Sequence, residues 1–241
     1  MRYKAAADVA QVVRQGTTLL NGREYLNIEN QVWVDFAEDM MPMMFPAAEC
    51  MATQLNAPAR LLDIAAGHGI FGVMAAAAHP GLHVDAMDWL AVLALAAENA
   101  RKFGVADHWH ARPGSALEMD FGAGYDVINL TNFLHRSDAA ECTGILRECR
   151  AALNPGSLLA TLEFVPNPDR VTPDVSAAFS MTMLLNTPTG DAHTFAELES
   201  ILHDAGFTTD EIHQVPASPQ GCLIVFGISP VSAGESHAVA V

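Results

Sequence analysis

The chain has 241 residues, 51% hydrophobic and 17% charged, which provides for a sizeable core and argues against global disorder. Its formal net charge of −16 disfavours nucleic-acid backbones and anionic membranes as partners, leaving a small neutral or cationic ligand as the easier fit. The four cysteines form no C-x-x-C pair and Met1-Arg2-Tyr3-Lys4 opens no secretory leader, so a reducing, cytoplasmic setting is expected, with no membrane span.

Ala5–Leu20 predicts a helix stopped by Asn21-Gly22, and a second helix is expected over Gln31–Met41. Met40-Met41-Pro42-Met43-Met44-Phe45-Pro46 then sets soft apolar side chains beside two prolines, as pocket wall or as core filling. From Arg60 strands and helices alternate. Strands are expected at Arg60–Ala65, His83–Asp88, His108–Pro113, Tyr125–Leu130 and Ser157–Val165. Helices are expected from Gly72 to Ala78 and over Leu90–Phe103, Asp138–Leu153, Asp174–Asn186 and Thr194–Ala205. Asn154-Pro155-Gly156 reads as a helix stop. Thr208–Val215 and Gly221–Ile228 follow without a helix between them, so they predict a terminal hairpin with one antiparallel strand.

The pattern predicts an α/β fold: a Rossmann-like, doubly wound, seven-stranded and mostly parallel sheet. Residues 1–52 read as a helical N-terminal extension, 53–230 as the main domain and 231–241 as a frayed tail.

The organising stretch is Leu61-Leu62-Asp63-Ile64-Ala65-Ala66-Gly67-His68-Gly69-Ile70-Phe71-Gly72. It runs from a strand through a small-residue turn into a helix, which is how an open sheet builds a nucleotide site. Gly67 to Gly72 is a literal G-x-G-x-x-G, the dinucleotide signature. Asp63 argues against that reading, since a carboxylate at the strand end repels a pyrophosphate and suits a cationic amino-acid end. Asp88, 25 positions on, ends the second strand, where it suits two ribose hydroxyls or a helix cap. Trp89 follows as a candidate surface for an adenine. His108-x-His110 lacks a carboxylate or cysteine at ligand spacing, so no metal is expected.

Leu-Leu-Asp-Ile-Ala-Ala-Gly-His-Gly resembles the first motif of class I S-adenosylmethionine-dependent methyltransferases. Asn129-Leu130-Thr131-Asn132-Phe133-Leu134-His135, with Glu163 in Leu162-Glu163-Phe164, resembles the small-molecule O-methyltransferases that include caffeate, hydroxyindole and antibiotic-tailoring enzymes. The resemblance implies that Asp63, Ala65, Gly67 and Gly69 surround the methionine end of S-adenosylmethionine. It also implies that Asp88 and Trp89 hold the nucleoside, and that Ser115, Ala116 and Thr131 lie along the cofactor. His135 is the implied general base and Glu163 its orienting acid. A second acid of the family falls on Ala192, with Asp191 adjacent as its replacement. Met40, Met44, Phe179 and Met183 are the expected substrate wall.

A phenol with a pKa of about 10 is roughly a thousandth ionised at pH 7, so a base near 6.5 suits the transfer. The expected activity is methyl transfer to a hydroxyl of a small aromatic or polyketide-like molecule. Transfer to nitrogen or carbon, or cofactor binding without catalysis, are the alternatives. The family's winged-helix dimerisation domain has no counterpart ahead of Trp33. The substrate side is therefore expected to be open, or covered by a partner chain or second copy.

Overall fold

Arg60–Ile64 (β1), His83–Asp88 (β2), Trp109–Pro113 (β3), Tyr125–Asn129 (β4), Leu153–Phe164 (β5), Thr208–Gln214 (β6) and Cys222–Ile228 (β7) pair in the order β3-β2-β1-β4-β5-β7-β6. β1 to β5 are mutually parallel; β7 runs antiparallel to both β5 and β6. The computed structural model describes residues 8–19, 31–214 and 222–228, with side chains as far as 208. The expected stop at Asn21-Gly22 and the tail after Pro230 lie outside the described residues.

The strands are apolar on both faces because helices cover both. On one face lie Gln31–Gln54 (α2), Ile70–Ala78 (α3) and Leu90–Lys102 (α4). Their Met44, Met51, Ile70, Val73, Leu93 and Ala96 pack with Leu61, Val84 and Val127 of the sheet. On the other face, Ala139–Ala152 (α5) and Phe195–Asp204 (α7) set Leu146, Cys149, Leu198 and Leu202 against Leu62, Ile64 and Ile128. α5 starts on an Asp138 cap and α7 on a Thr194–Glu197 capping box, which satisfy the free N–H groups of each first turn. Val9–Gln15 (α1) neighbours Asp174–Asn186 (α6). The residues after α1 are tied to the end of α6 and beyond, where Thr18 Oγ1 donates to the Leu185 carbonyl and Thr17 Oγ1 to that of Pro188.

Three expectations about the elements are corrected. α1 spans only Val9–Gln15, because Gly16 in the left-handed region caps it. α2 does not stop near Met41 but continues through Pro42 and Pro46 to Gln54. Each proline removes a backbone donor. The buried stripe Ala37, Met44, Ala47, Ala48, Met51 and Ala52, packed against α3, outweighs that loss. The methionines therefore sit on a helix that shares the main core. Asn154-Pro155-Gly156 does not end a helix in a turn. It opens β5, where residues 154–157 bulge opposite Asp126 between the pairs Tyr125↔Leu153 and Val127↔Leu158.

The chain order reverses between β1 and β4, which opens a crevice at the carboxyl ends of the strands. β1, β2, β4 and β5 deliver Asp63, Asp88, Asn129 and Glu163 to that edge.

Candidate active site

At the end of β1 the chain passes through left-handed Ala65, Gly67 and Gly69 into α3. A Cβ on Gly69 would lie 2.7 Å from Ala96 Cβ, so glycine there allows both the positive φ of 71° and the close approach of α4. Asp88 holds the turn from β2: Oδ2 accepts from Gly67 N at 2.8 Å and Oδ1 from Trp89 N at 2.7 Å. Burial raises the Asp88 pKa, and the two N–H donors and Arg136 oppose that rise. Trp89 meets Trp33 of α2 edge-on at 5.4 Å, and Arg136 lies over the Trp33 ring at 5.7 Å.

Asp63 is 1% exposed. Its Oδ2 accepts from Gly72 N at 3.1 Å, while Oδ1 is buried without a hydrogen-bond partner. Burial pushes its pKa up to about 7, opposed by the Gly72 N–H and reinforced by the charge of Asp88. The native protein therefore keeps a proton that the unfolded chain, at the ordinary value of 3.8, has lost. Stability should fall with rising pH between about 4 and 7, on the order of 1 kcal/mol per pH unit, and stay at its lower value above that window. Asp63→Asn removes this titration. Its melting temperature relative to the parent should climb between pH 5 and pH 8; a difference independent of pH would dismiss the buried carboxyl as its source.

His68 has a role that the sequence left open. Its Nδ1 accepts from Ile70 N at 3.2 Å at the start of α3, and its carbonyl accepts from Asn99 Nδ2 at 2.9 Å. Burial depresses its pKa to about 4, so the ring stays neutral and able to accept.

Beyond β4, Asn132 takes a left-handed φ of 53° and the chain enters the 3-10 turn Leu134–Arg136. Glu163, 2% exposed at the end of β5, organises this turn. Its Oε1 accepts from Phe133 N at 2.9 Å and Leu134 N at 2.8 Å, and its Oε2 lies 2.6 Å from His135 Nδ1. A carboxylate only accepts, so Nδ1 carries a proton, and the neutral ring then has its lone pair on Nε2. Phe179 of α6 meets the imidazole edge-on at 4.8 Å and stacks on Phe164 at 4.2 Å, which fixes the ring plane. The Cys142 thiol donates to the Leu134 carbonyl at 3.1 Å. Burial and the neighbouring charges of Glu163, Asp138 and Glu141 push that thiol up to about 12, so it acts as a neutral donor.

Of the expected substrate wall, Phe179 touches His135, and Met44 accepts from Asn132 Nδ2 at 3.3 Å. Met40 packs against the α2–α3–α4 core and Met183 is buried on α6. Asn129 and Asn132 were not singled out from the sequence, yet each has a buried Oδ1 without a partner at this edge. Asn129 stands beside Asp63 in the β1–β4 register. Thr131 is buried, and Ser115 Oγ accepts from Leu117 N within the turn that carries Ala116.

Asp191 has other partners than the His135 ring. Its carboxylate is 42% exposed and accepts from Arg170 Nη1 at 2.9 Å and Ala192 N at 2.8 Å. Arg170 also grips Glu197 through Nη2. Asp191 therefore fastens loops together, and among the described residues it is Glu163 that is hydrogen-bonded to the His135 ring. Among the described residues no group of three or more His, Cys, Asp or Glu is placed to hold a metal, and no helix is long and apolar enough to cross a membrane.

This sheet, with acidic residues ending β1 and β2 and a histidine–carboxylate pair beyond β4 and β5, has counterparts among known proteins. The family model described as O-methyltransferase domain matches residues 8–208, and the chain belongs to that family. A structure assigned as an O-methyltransferase from Nostoc punctiforme PCC 73102 is 41% identical, with a TM-score of 0.86 over 93% of this chain and 68% of that one. Human N-acetylserotonin methyltransferase, solved with SAM, has the same fold at 18% identity and TM-score 0.81, over 95% of this chain and 67% of that one. An O-methyltransferase family 2 protein from Planctomyces limnophilus, solved with apigenin, superposes at 21% identity and TM-score 0.73, over 83% and 62%. The ribosomal protein uL3 glutamine methyltransferase of Bordetella pertussis is 39% identical over 70 residues, so the match spans only 24% of that protein and 29% of this one.

Proposed function

We propose that this protein is an S-adenosylmethionine-dependent O-methyltransferase acting on a hydroxyl of a small aromatic molecule. The observation that carries the reading is the buried His135–Glu163 pair, held at 2.6 Å with its second imidazole nitrogen uncommitted to Glu163. The family match and the SAM-bound human relative support the donor. The apigenin-bound relative supports a planar phenolic acceptor.

The residues of the β1–β2 edge fit the donor. The orphaned Asp63 Oδ1, buried beside the turn, suits a cationic amino-acid end. Asp88 retains lone pairs for ribose hydroxyls beyond the two N–H groups it accepts, and Trp89 offers an aromatic face. Ala65, Gly67, Gly69, Ser115, Ala116 and Thr131 line the same edge. S-adenosylmethionine supplies a methyl group already activated by its sulfonium.

The chain's own residues have two further tasks. His135 Nε2 takes the proton from the acceptor hydroxyl as the oxygen becomes a nucleophile. Glu163 keeps Nδ1 protonated and balances the imidazolium that forms, in a setting where a buried carboxylate is worth more than one in water. Phe179, backed by Phe164, holds the ring edge-on, so that the geometry is set before the acceptor arrives. A phenolic hydroxyl of pKa about 10 is scarcely ionised at pH 7, so a base placed on its proton is useful to transfer at oxygen.

Calorimetric titration with S-adenosylhomocysteine tests the donor site. Binding by the parent is expected, with Asp88→Ala weaker by about 1–3 kcal/mol, or roughly 5- to 150-fold. Binding of NAD in place of S-adenosylhomocysteine would overturn the reading. Incubation with S-adenosylmethionine and planar phenols should yield the methyl ether by mass spectrometry.

A further inference from the structure

The segment between α6 and α7 is built against the backbone of the His135 turn. A Cβ at Gly190 would run into the carbonyl oxygen of His135 and lie 2.5 Å from Thr187 Oγ1 and 2.9 Å from Arg136 C. Glycine is present there because the neighbouring backbone fills the space. Gly190 is held in turn: its N–H donates to Thr187 Oγ1 at 2.9 Å, and that hydroxyl, 2% exposed, donates to the Met183 carbonyl at 2.8 Å. Further along, His193 Nε2 donates to the Ser137 carbonyl at 3.2 Å, beyond the turn. Arg170 ties down the intervening Asp191 side chain and Ala192 carbonyl. Phe179, on the helix that leads into this segment, meets the His135 ring.

We propose that Gly190 is a positioning residue for the general base, the point at which the Thr187–His193 segment sets the His135 backbone so that the ring reaches Glu163 in hydrogen-bonding register. The proposal rests on the reading of His135 as the base. Its physical content is one of distance. The Nδ1–Oε2 contact is short, Glu163 is anchored by two further N–H groups on the same turn, and nothing in this arrangement absorbs a backbone shift. A methyl group on Gly190 must displace His135 or itself. A displacement approaching 1 Å at a catalytic group costs up to about a hundredfold in rate.

The experiment reads the Nδ1–H proton directly. In proton NMR of the parent a low-field imidazole resonance is expected, assigned to His135 by its loss in His135→Ala. Gly190→Ala should move that resonance upfield or abolish it and lower kcat on a phenolic acceptor by about 10- to 100-fold. S-adenosylhomocysteine affinity should stay within about twofold, because no cofactor contact is altered. Thr187→Val, which removes the hydroxyl that holds Gly190, should give a weaker version of the same change, and Thr187→Ser should restore the parent's behaviour. If Gly190→Ala does not fold, the Thr187→Val and Thr187→Ser pair decides. The parent's resonance and kcat retained in Gly190→Ala, or in Thr187→Val where that pair decides, would overturn the positioning role and leave the base intact. A parent without the low-field resonance would overturn the dyad itself, and the positioning role with it.

Discussion

His135→Ala is expected to lower turnover of a phenolic acceptor by about 10²–10⁴ at pH 7, the usual contribution of a positioned general base. The imidazole is 9% exposed, with Nδ1 committed to Glu163 and its ring held by Phe179. S-adenosylhomocysteine affinity should hardly change, because the β1–β2 edge keeps its contacts. The deficit should shrink as pH rises toward about 10, where the phenol ionises unaided. Turnover by the variant equal to the parent at pH 7 would show that proton removal is not this residue's task. Single-turnover rates measured from pH 6 to pH 10 separate the two outcomes.

Glu163 should show two different phenotypes according to its replacement. Alanine strips the acceptor from Phe133 N, Leu134 N and His135 Nδ1 together and leaves all three buried. A loss of about 3–5 kcal/mol of stability is expected, the scale of leaving several buried donors unsatisfied at about 1–3 kcal/mol each. Glutamine keeps an oxygen for the two backbone donors but presents an N–H to the imidazole. The ring must then accept at Nδ1 and carry its proton on Nε2, the wrong tautomer for a base. Glu163→Gln should therefore melt close to the parent yet lose about 10²–10⁴ in turnover. Urea unfolding beside kinetics on both variants checks this. A stable, fully active Glu163→Gln would remove the orienting role.

What the sequence made readable was local chemistry at strand ends. Asp63, Asp88 and Glu163 each stand at or within one residue of the end of a strand and His135 lies a few positions past β4, so their placement at one sheet edge follows from the α/β alternation itself. Long-range packing stayed hidden. Nothing near Pro42 or Pro46 announces that α3 supports a helix through both. Asn154-Pro155-Gly156 has the composition of a turn, and only its pairing beside Asp126 makes it a bulge. Asp191 adjoined the expected position, but its carboxylate went to Arg170, a partner 21 residues away that no local pattern selects. Gly190 is one glycine among 17, and its purpose becomes visible only when the His135 carbonyl is beside it.

α2 reaches from Trp33, beside Trp89 at the carboxyl edge, to Ala52, whose carbonyl accepts from His79 Nε2 past the far end of α3. Nineteen residues at 1.5 Å each make an arm of at most about 28 Å. At that length a tilt of about 5° about the Ala52 end would carry Trp33 roughly 2 Å relative to Trp89, and the buried stripe from Ala37 to Ala52 is what opposes it. The indole that borders the crevice is thus joined by one continuous helix to a contact past the far end of α3 on the same face of the sheet. Substitutions at buried Met51 or Ala52 therefore bear on the seating of the same helix that carries Trp33 to the crevice.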